Sequence, residues 1–188
     1  KTGKGTPEYF GVEDKVDILN STLGKALGGA SGGYSTGRLE IIDTLRQKGR
    51  PYLFSNSMAP PIVGASLKAF EMLANEGEAR ENLNRNTALF RKLMTKKGFD
   101  IIGNDACPIV PVMIGDAALA SQMADELLKL KVYVIGFSFP VVPKGKARIR
   151  VQLSAAHSED EIKYTADAFA DVARKLSFRL SPAPINQE

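Results

Sequence analysis

A run of nine residues, from Ser21 to Gly29, places a single lysine among small side chains. Lys25 has a glycine before it and an alanine after it, and two glycines close the run. A backbone without bulky side chains can approach a ligand closely, and glycine disfavours the interior of a helix. The run therefore predicts a loop that brings the Lys25 amine against an anionic ligand.

The chemistry of Lys25 has three interpretations on these residues alone. The amine could be solvated, could contact a phosphate, or could form a Schiff base with pyridoxal phosphate. A nucleotide-binding P-loop does not fit, because its Gly-Lys pair is followed by Ser or Thr, whereas Ala26 follows Lys25. A Schiff-base lysine needs unhindered approach and hydroxyl groups for the cofactor phosphate. Thr22, three residues earlier, offers such a hydroxyl.

An alternating segment from Arg148 to Leu153 predicts a half-buried strand. Its apolar residues share one face, and Arg148, Arg150 and Gln152 share the other. A guanidinium held on a strand is a rigid fork that binds a carboxylate through two hydrogen bonds. The same pattern also fits an ordinary strand with a solvated polar face, and both interpretations remain open here.

Ser55, Asn56 and Ser57 form a polar cluster between an apolar run and the two prolines that open a long helical pattern. Hydroxyl and amide donors near a helix N-terminus can bind an anion. They can equally serve as ordinary helix caps, which is the more common case. We expect the cluster to lie at the end of a strand over 51–55.

The rest of the chain alternates between strand and helix patterns, which predicts an α/β fold. The predicted helices cover 39–47, 60–97 with a polar break near 75–77, 117–130, and a last helix that Ser158 begins, with Glu161 at the capping-box position. The other predicted strands cover 16–20, 30–34, 99–102, 109–114 and 132–135.

Composition excludes several function classes. The net charge of +4 suits an anionic small molecule, but no basic run with interleaved aromatic residues indicates nucleic acid. No apolar run approaches the roughly 20 residues that cross a bilayer. A single cysteine, Cys107, leaves no internal disulfide, and a single histidine, His157, leaves no multi-histidine metal site. We expect no metal, no nucleic-acid partner and no membrane span.

The residues from Asn20 to Tyr34 resemble the cofactor-lysine segment of the α-oxoamine synthases, pyridoxal-phosphate enzymes of aminotransferase fold type I. The resemblance extends over about residues 3–176 and includes three further motifs in the same order, Arg50–Ser57, Gly136–Gly145 and Ala147–Arg150. It implies that residues 1–58 are the C-terminal portion of the large cofactor-binding domain. It further implies a long connecting helix over 59–97, a small C-terminal α/β domain over 98–180 and a tail over 181–188.

The resemblance also implies roles for individual residues. Lys25 would carry pyridoxal 5'-phosphate and, once freed, move the proton at the substrate α-carbon, and Thr22 would bind the cofactor phosphate. Ser55 and Asn56 would reach the phosphate of the partner subunit's cofactor, so a homodimer with shared active sites is expected. Arg150 would hold the substrate carboxylate.

The reaction implied by the resemblance joins glycine and acetyl-coenzyme A to give 2-amino-3-oxobutyrate and free coenzyme A, and it runs in reverse in threonine breakdown. A sister enzyme with another acyl-coenzyme A or amino acid is the alternative. Members of the family carry an upstream Asp-x-x-His segment and a ring-stacking histidine, and neither is present here. We therefore expect the C-terminal half of a larger enzyme, which is inactive when isolated. The resemblance to animal members suggests mitochondria, or the cytoplasm if the source is bacterial.

Overall fold

The computed structural model describes residues 3–28 and 30–180. Gly29 and the tail predicted over 181–188 lie outside the described residues. The chain divides between Gly77 and Glu78 into two compact units. The first unit contains α1 (Thr6–Phe10), a short 3-10 helix (Glu13–Lys15), β1 (Ile18–Thr22), β2 (Gly33–Gly37), α2 (Leu39–Lys48), α3 (Arg50–Leu53) and α4 (Pro60–Asn75).

Strands β1 and β2 form an antiparallel pair that presents the glycine-rich segment as its connecting loop. Thr22 pairs with Gly33 at the loop end, and the Leu23 N–H donates to the Gly32 carbonyl at 2.9 Å just beyond that pair. A Cβ at Gly33 would lie 2.6 Å from the Ser21 carbonyl oxygen, so a side chain there would force the strands apart. Both strands begin two or three residues later than predicted, and the predicted loop between them is confirmed.

The strand predicted over 51–55 is wrong, because the structure has the short helix α3 there. Pro51 lies in its first turn, where the missing N–H is tolerated, and the Phe54 N–H donates to the Arg50 carbonyl at 2.9 Å. A short apolar run has no periodicity that separates a buried strand from a helical turn. Ser55 and Asn56 consequently follow a helix rather than a strand.

Two helices occupy the region where one connecting helix is predicted. Helix α4 ends at Asn75, Glu76 has extended backbone angles, and α5 begins at Glu78 and continues to Lys96. The polar break noted in the sequence near 75–77 is thus a real interruption. The domain boundaries at 58 and 97 remain a prediction.

The first unit buries few of its own side chains. Among its described residues only Leu23 and Ser66 are buried. Large apolar side chains on α3 and α4, such as Tyr52, Leu67 and Phe70, are exposed. Exposed apolar surface of this extent is typical of a protein–protein interface.

The second unit has a core of its own. Its elements are α5 (Glu78–Lys96), β3 (Ile109–Gly115), α6 (Ala117–Lys129), β4 (Ile135–Phe137), β5 (Ala147–Gln152) and α7 (Glu159–Lys175). The strands form an antiparallel sheet in the order β3-β5-β4, α6 packs on the sheet, and α7 packs on α5 and α6. Side chains that are fully buried in this core include Phe90, Met94, Val112, Met123, Ile149 and Phe169.

Strand β5 confirms the alternation predicted over 148–153, because Ala147, Ile149 and Val151 are buried while Arg150 and Gln152 are exposed. The predicted strand over 132–135 lies three residues too early. The Val132 N–H instead donates to the Leu127 carbonyl and completes the end of α6, so β4 starts only at Ile135. The strand predicted over 99–102 is reduced to a single bridge between Ile101 and Val112.

The start of α7 confirms the predicted capping box. The Ser158 hydroxyl accepts the Glu161 N–H at 3.3 Å, and the Glu161 carboxylate accepts the Ser158 N–H at 2.7 Å. Across residues 3–28 and 30–180, no helix has both the length and the apolar character that a membrane crossing requires.

Candidate active site

Lys25 is exposed on the loop that joins β1 to β2, three residues beyond the end of β1. The Gly28 N–H donates to the Lys25 carbonyl at 3.0 Å and closes a turn that begins at the lysine. In the part of the chain that the structure describes, the Lys25 amine has no hydrogen bond and no ion pair. The amine is therefore available to a ligand.

Thr22, at the end of β1, is tied into the same loop as Lys25. Its hydroxyl oxygen accepts the Gly24 N–H at 3.2 Å and donates to the Gly32 carbonyl at 3.4 Å. The first contact fixes where the hydroxyl lies, and the second is long and weak. A phosphate oxygen could replace the Gly32 carbonyl as the acceptor without moving the threonine.

Glycines keep this loop narrow and free of side chains. A Cβ at Gly24 would lie 3.3 Å from the Ala30 carbonyl oxygen, and a Cβ at Gly32, whose φ is +80°, would lie 2.8 Å from the Met58 sulfur. Of the two residues between Thr22 and Lys25, Gly24 has no side chain and the Leu23 side chain is buried, so neither covers the surface of the loop. A free amine, a nearby hydroxyl and an uncovered backbone fit a carbonyl cofactor that carries a phosphate.

Ser55 and Asn56 lie on the segment between α3 and α4, and both are exposed. Helix α4 begins at Pro60 after Ala59, so neither residue caps it. Its first two residues are prolines, which removes two of the N–H groups that a helix N-terminus would offer an anion. Any phosphate contact from this cluster would come from its own hydroxyl and amide groups.

Arg150 lies on the exposed face of β5, opposite Pro111 of β3 and Ile135 of β4. Its guanidinium carbon lies 4.6 Å from the centre of the Phe137 ring. Within the described residues the guanidinium makes no hydrogen bond and no ion pair, so its donors are free for a ligand.

Arg148 shares a face with Arg150, but its side chain is already engaged. Its Nε–H donates to the Lys146 carbonyl at 3.1 Å, and the residue is half-buried. The sequence pattern does not distinguish the two arginines. The structure does, because among the described residues only Arg150 keeps all of its N–H donors for an external carboxylate.

The predicted site residues are distributed over both units. Thr22 and Lys25 share one loop of the first unit, Ser55 and Asn56 lie on another segment of that unit, and Arg150 belongs to the second unit. The contact between Arg150 and Phe137 was not predicted from the sequence. No local pattern could have revealed it, since it depends on the register of β4 and β5.

Comparison with known proteins places the chain among pyridoxal-phosphate enzymes. A family model for aminotransferase class I and II matches residues 2–169. Mitochondrial 2-amino-3-ketobutyrate coenzyme A ligase of Mus musculus is 56% identical over 173 residues, which cover 92% of this chain and 41% of that protein. The ligase of Escherichia coli (strain K12) is 51% identical over 176 residues, with 94% and 44% covered.

A solved structure of serine palmitoyltransferase from S. paucimobilis with a bound PLP–myriocin aldimine has a similar fold. Its TM-score is 0.87 at 26% identity, and the match covers 95% of this chain and 45% of that one. This chain therefore spans less than half the length of these relatives.

Proposed function

This chain belongs to the aminotransferase class I and II family, and on that premise we propose that it supplies the cofactor lysine and the substrate arginine of a pyridoxal-phosphate-dependent acyltransferase. The proposed reaction joins glycine and acetyl-coenzyme A to give 2-amino-3-oxobutyrate and coenzyme A, and it is reversible. The observation that carries the proposal is the free Lys25 amine on a glycine-rich loop, three residues after the Thr22 hydroxyl that the same loop holds. The identity of 56% to the mouse ligase supports the choice of reaction.

Lys25 has two roles in this proposal. Pyridoxal phosphate, when bound, supplies an electron sink for the charge that develops at the substrate α-carbon. The Lys25 amine is the covalent attachment point of the cofactor, and once released it is a base that can move the α-carbon proton. Its exposure on a glycine-rich loop supports both roles, because neither requires the amine to leave another partner.

Thr22 and Arg150 would each bind an anionic group, one of the cofactor and one of the substrate. The Thr22 hydroxyl would donate to a cofactor phosphate oxygen in place of its weak 3.4 Å contact with the Gly32 carbonyl. The Arg150 guanidinium would bind the glycine carboxylate through two parallel hydrogen bonds. Its place on the exposed face of β5 supports this role, since the planar guanidinium matches a carboxylate and no described partner occupies its donors.

The proposed experiment traps the cofactor on its lysine. The full-length natural protein is loaded with pyridoxal phosphate and reduced with borohydride, and mass spectrometry then locates the modified peptide. We expect the modification on Lys25. In Lys25→Ala the modified peptide and the visible absorbance of the bound cofactor should both disappear. The matched control is Lys48→Ala, which removes another exposed lysine of the first unit and should retain both. A reduced cofactor on any other lysine would contradict the proposal.

We propose in addition a homodimer in which Ser55 and Asn56 reach the cofactor phosphate of the other subunit. Their exposure and the apolar surface of α3 and α4 support this. Subunits with Lys25→Ala can be mixed with subunits in which Ser55 and Asn56 are both alanine. If sites are shared, one site of each mixed dimer is intact and part of the activity returns. No return of activity would contradict shared sites.

A sister reaction with a longer acyl-coenzyme A is the second candidate, because the chain also matches a serine palmitoyltransferase over 95% of its length. Competition between acetyl- and palmitoyl-coenzyme A in the full-length protein distinguishes the two, and we expect acetyl transfer to prevail. We also propose that residues 1–188 alone do not turn over, since they match only 41% of the mouse protein. Product formation by this segment would refute that.

The location we propose is mitochondrial. The mouse relative is named as a mitochondrial protein, whereas the ligase of Escherichia coli is nearly as similar. Fractionation of the source cells, with detection of the protein by antibody, tests this directly. Recovery outside mitochondria would overturn it.

A further inference from the structure

We infer that Phe137 is a positioning residue that holds the Arg150 guanidinium ready for a substrate carboxylate. The inference rests on the proposed function, in which Arg150 binds the carboxylate of glycine. Phe137 itself does not touch the substrate in this scheme. It acts through Arg150.

The contact between the two side chains is a cation–π interaction. The Arg150 guanidinium carbon lies 4.6 Å from the Phe137 ring centre, well within the distance of about 6 Å at which such pairs attract. In the register of the sheet Phe137 lies opposite Arg148, and Arg150 lies opposite Ile135. The ring and the guanidinium therefore meet diagonally across β4 and β5, a distance that long side chains can span.

A ring restrains an arginine without consuming its hydrogen-bond donors. Arg91 shows the contrasting case, because it is buried and donates to the carbonyls of Ile102, Asn104 and Cys107. Arg150 has only the ring as a described partner, so its N–H groups stay available while its rotamers are limited. A side chain that is ordered before binding loses less entropy when the ligand arrives.

The position of Arg148 supports the same conclusion. Arg148 stands directly opposite Phe137, yet its Nε–H turns to the Lys146 carbonyl and the ring is left to Arg150. Two neighbouring arginines therefore have different restraints, one through a backbone acceptor and one through an aromatic face. The first restraint occupies the Nε–H of Arg148, whereas the second leaves every N–H of Arg150 without a described partner, including the Nε–H that a side-on carboxylate contact uses.

The experiment measures ligand affinity in the full-length natural protein loaded with pyridoxal phosphate. Phe137→Leu removes the ring but keeps an apolar side chain, Phe137→Tyr keeps the ring, and Tyr133→Leu removes an aromatic residue that is 77% exposed. The affinity for glycine and for methylamine is read from the change in cofactor absorbance. Methylamine has the amine but no carboxylate, so it does not report on Arg150.

We expect Phe137→Leu to weaken glycine binding about 3- to 10-fold, from the usual strength of a cation–π pair. Methylamine binding should be unchanged, and Phe137→Tyr and Tyr133→Leu should bind glycine normally. Steady-state kinetics should show a higher KM for glycine with an unaltered KM for the acyl donor. Arg150→Lys should bind glycine poorly with or without Phe137→Leu, because the ring then has no guanidinium to position.

Several outcomes would overturn the inference. They are unchanged glycine affinity in Phe137→Leu, an equal loss for methylamine, or an undiminished effect of Phe137→Leu in the Arg150→Lys background. Phe137→Met provides the same comparison if the leucine variant does not fold. If the proposed function itself were wrong, the unsubstituted protein would show no cofactor absorbance, and this result distinguishes the two failures.

Discussion

Asn86 joins α5 to the loop that follows β5, and its removal should destabilise the second unit. The side chain is 9% exposed, and its amide nitrogen donates to the Ser154 carbonyl at 3.0 Å and to the His157 carbonyl at 2.7 Å. These residues lie 68 and 71 positions away along the chain. One amide group thus fixes both ends of the loop that leads from the arginine-bearing strand into α7.

The magnitude for Asn86→Ala follows from these contacts. Each lost hydrogen bond contributes about 1 kcal/mol net. Neither carbonyl is left as a buried group without a partner, since the His157 N–H also donates to the Ser154 carbonyl at 3.3 Å and His157 is exposed to water. Alanine regains about 0.5 kcal/mol of helix propensity. The net loss is therefore about 1.5 kcal/mol.

Urea unfolding of the chain, followed by circular dichroism, measures this loss. The midpoint should fall by about 0.5 to 1.5 M, given the usual denaturant dependence for domains of this size. Asn84→Ala is the matched control, because Asn84 is exposed on the same helix and makes no described hydrogen bond. It should be neutral or slightly stabilising. Equal midpoints for the two variants would refute the reasoning that the Asn86 amide holds the loop.

Other predictions concern the core and the start of α7. Phe169→Ala removes a fully buried ring that packs against Phe90, and should lower the free energy of unfolding by about 3–5 kcal/mol, while Leu128→Ala on the exposed side of α6 should cost far less. Ser158→Ala should cost about 1 kcal/mol in the same measurement, through loss of the cap. The backbone N–H of Ser158, and then its hydroxyl, lower the pKa of Glu161. The lowered pKa contributes stability that is present above the ordinary glutamate pKa and is lost as the pH falls through the lower pKa of the folded state. The free energy of unfolding of Glu161→Gln should therefore change less with pH in the acid range. An unchanged pH profile would contradict this.

Local patterns in the sequence predicted those parts of the fold whose causes are local. The alternation of β5 depends only on residues two apart, and the capping box depends on residues three apart, so both were confirmed. The helix α3 and the start of β4 were missed for a different reason. Pro51 can begin a helical turn as readily as an extended segment, and the Val132 N–H is taken by the Leu127 carbonyl at the end of α6.

The same distinction between local and non-local causes applies to the candidate site residues. Thr22 and Lys25 are three residues apart, so their shared loop could be foreseen from the glycines around them. The environment of Ser55 and Asn56 could not be foreseen, because the segment before them was predicted to be a strand and is the helix α3. The roles proposed for these residues remain predictions.

The difference between Arg148 and Arg150 shows what only three-dimensional structure can add to this site. Alternation places both guanidinium groups on one face, and their charges and lengths are equal, so composition and spacing cannot choose between them. The choice depends on what each side chain meets. A backbone carbonyl removes a donor from Arg148, whereas the Phe137 ring restrains Arg150 without removing any. Arg148 can offer a carboxylate only its Nη groups, because its Nε–H is already donated to the Lys146 carbonyl, whereas Arg150 keeps its Nε–H and both Nη groups free among the described residues.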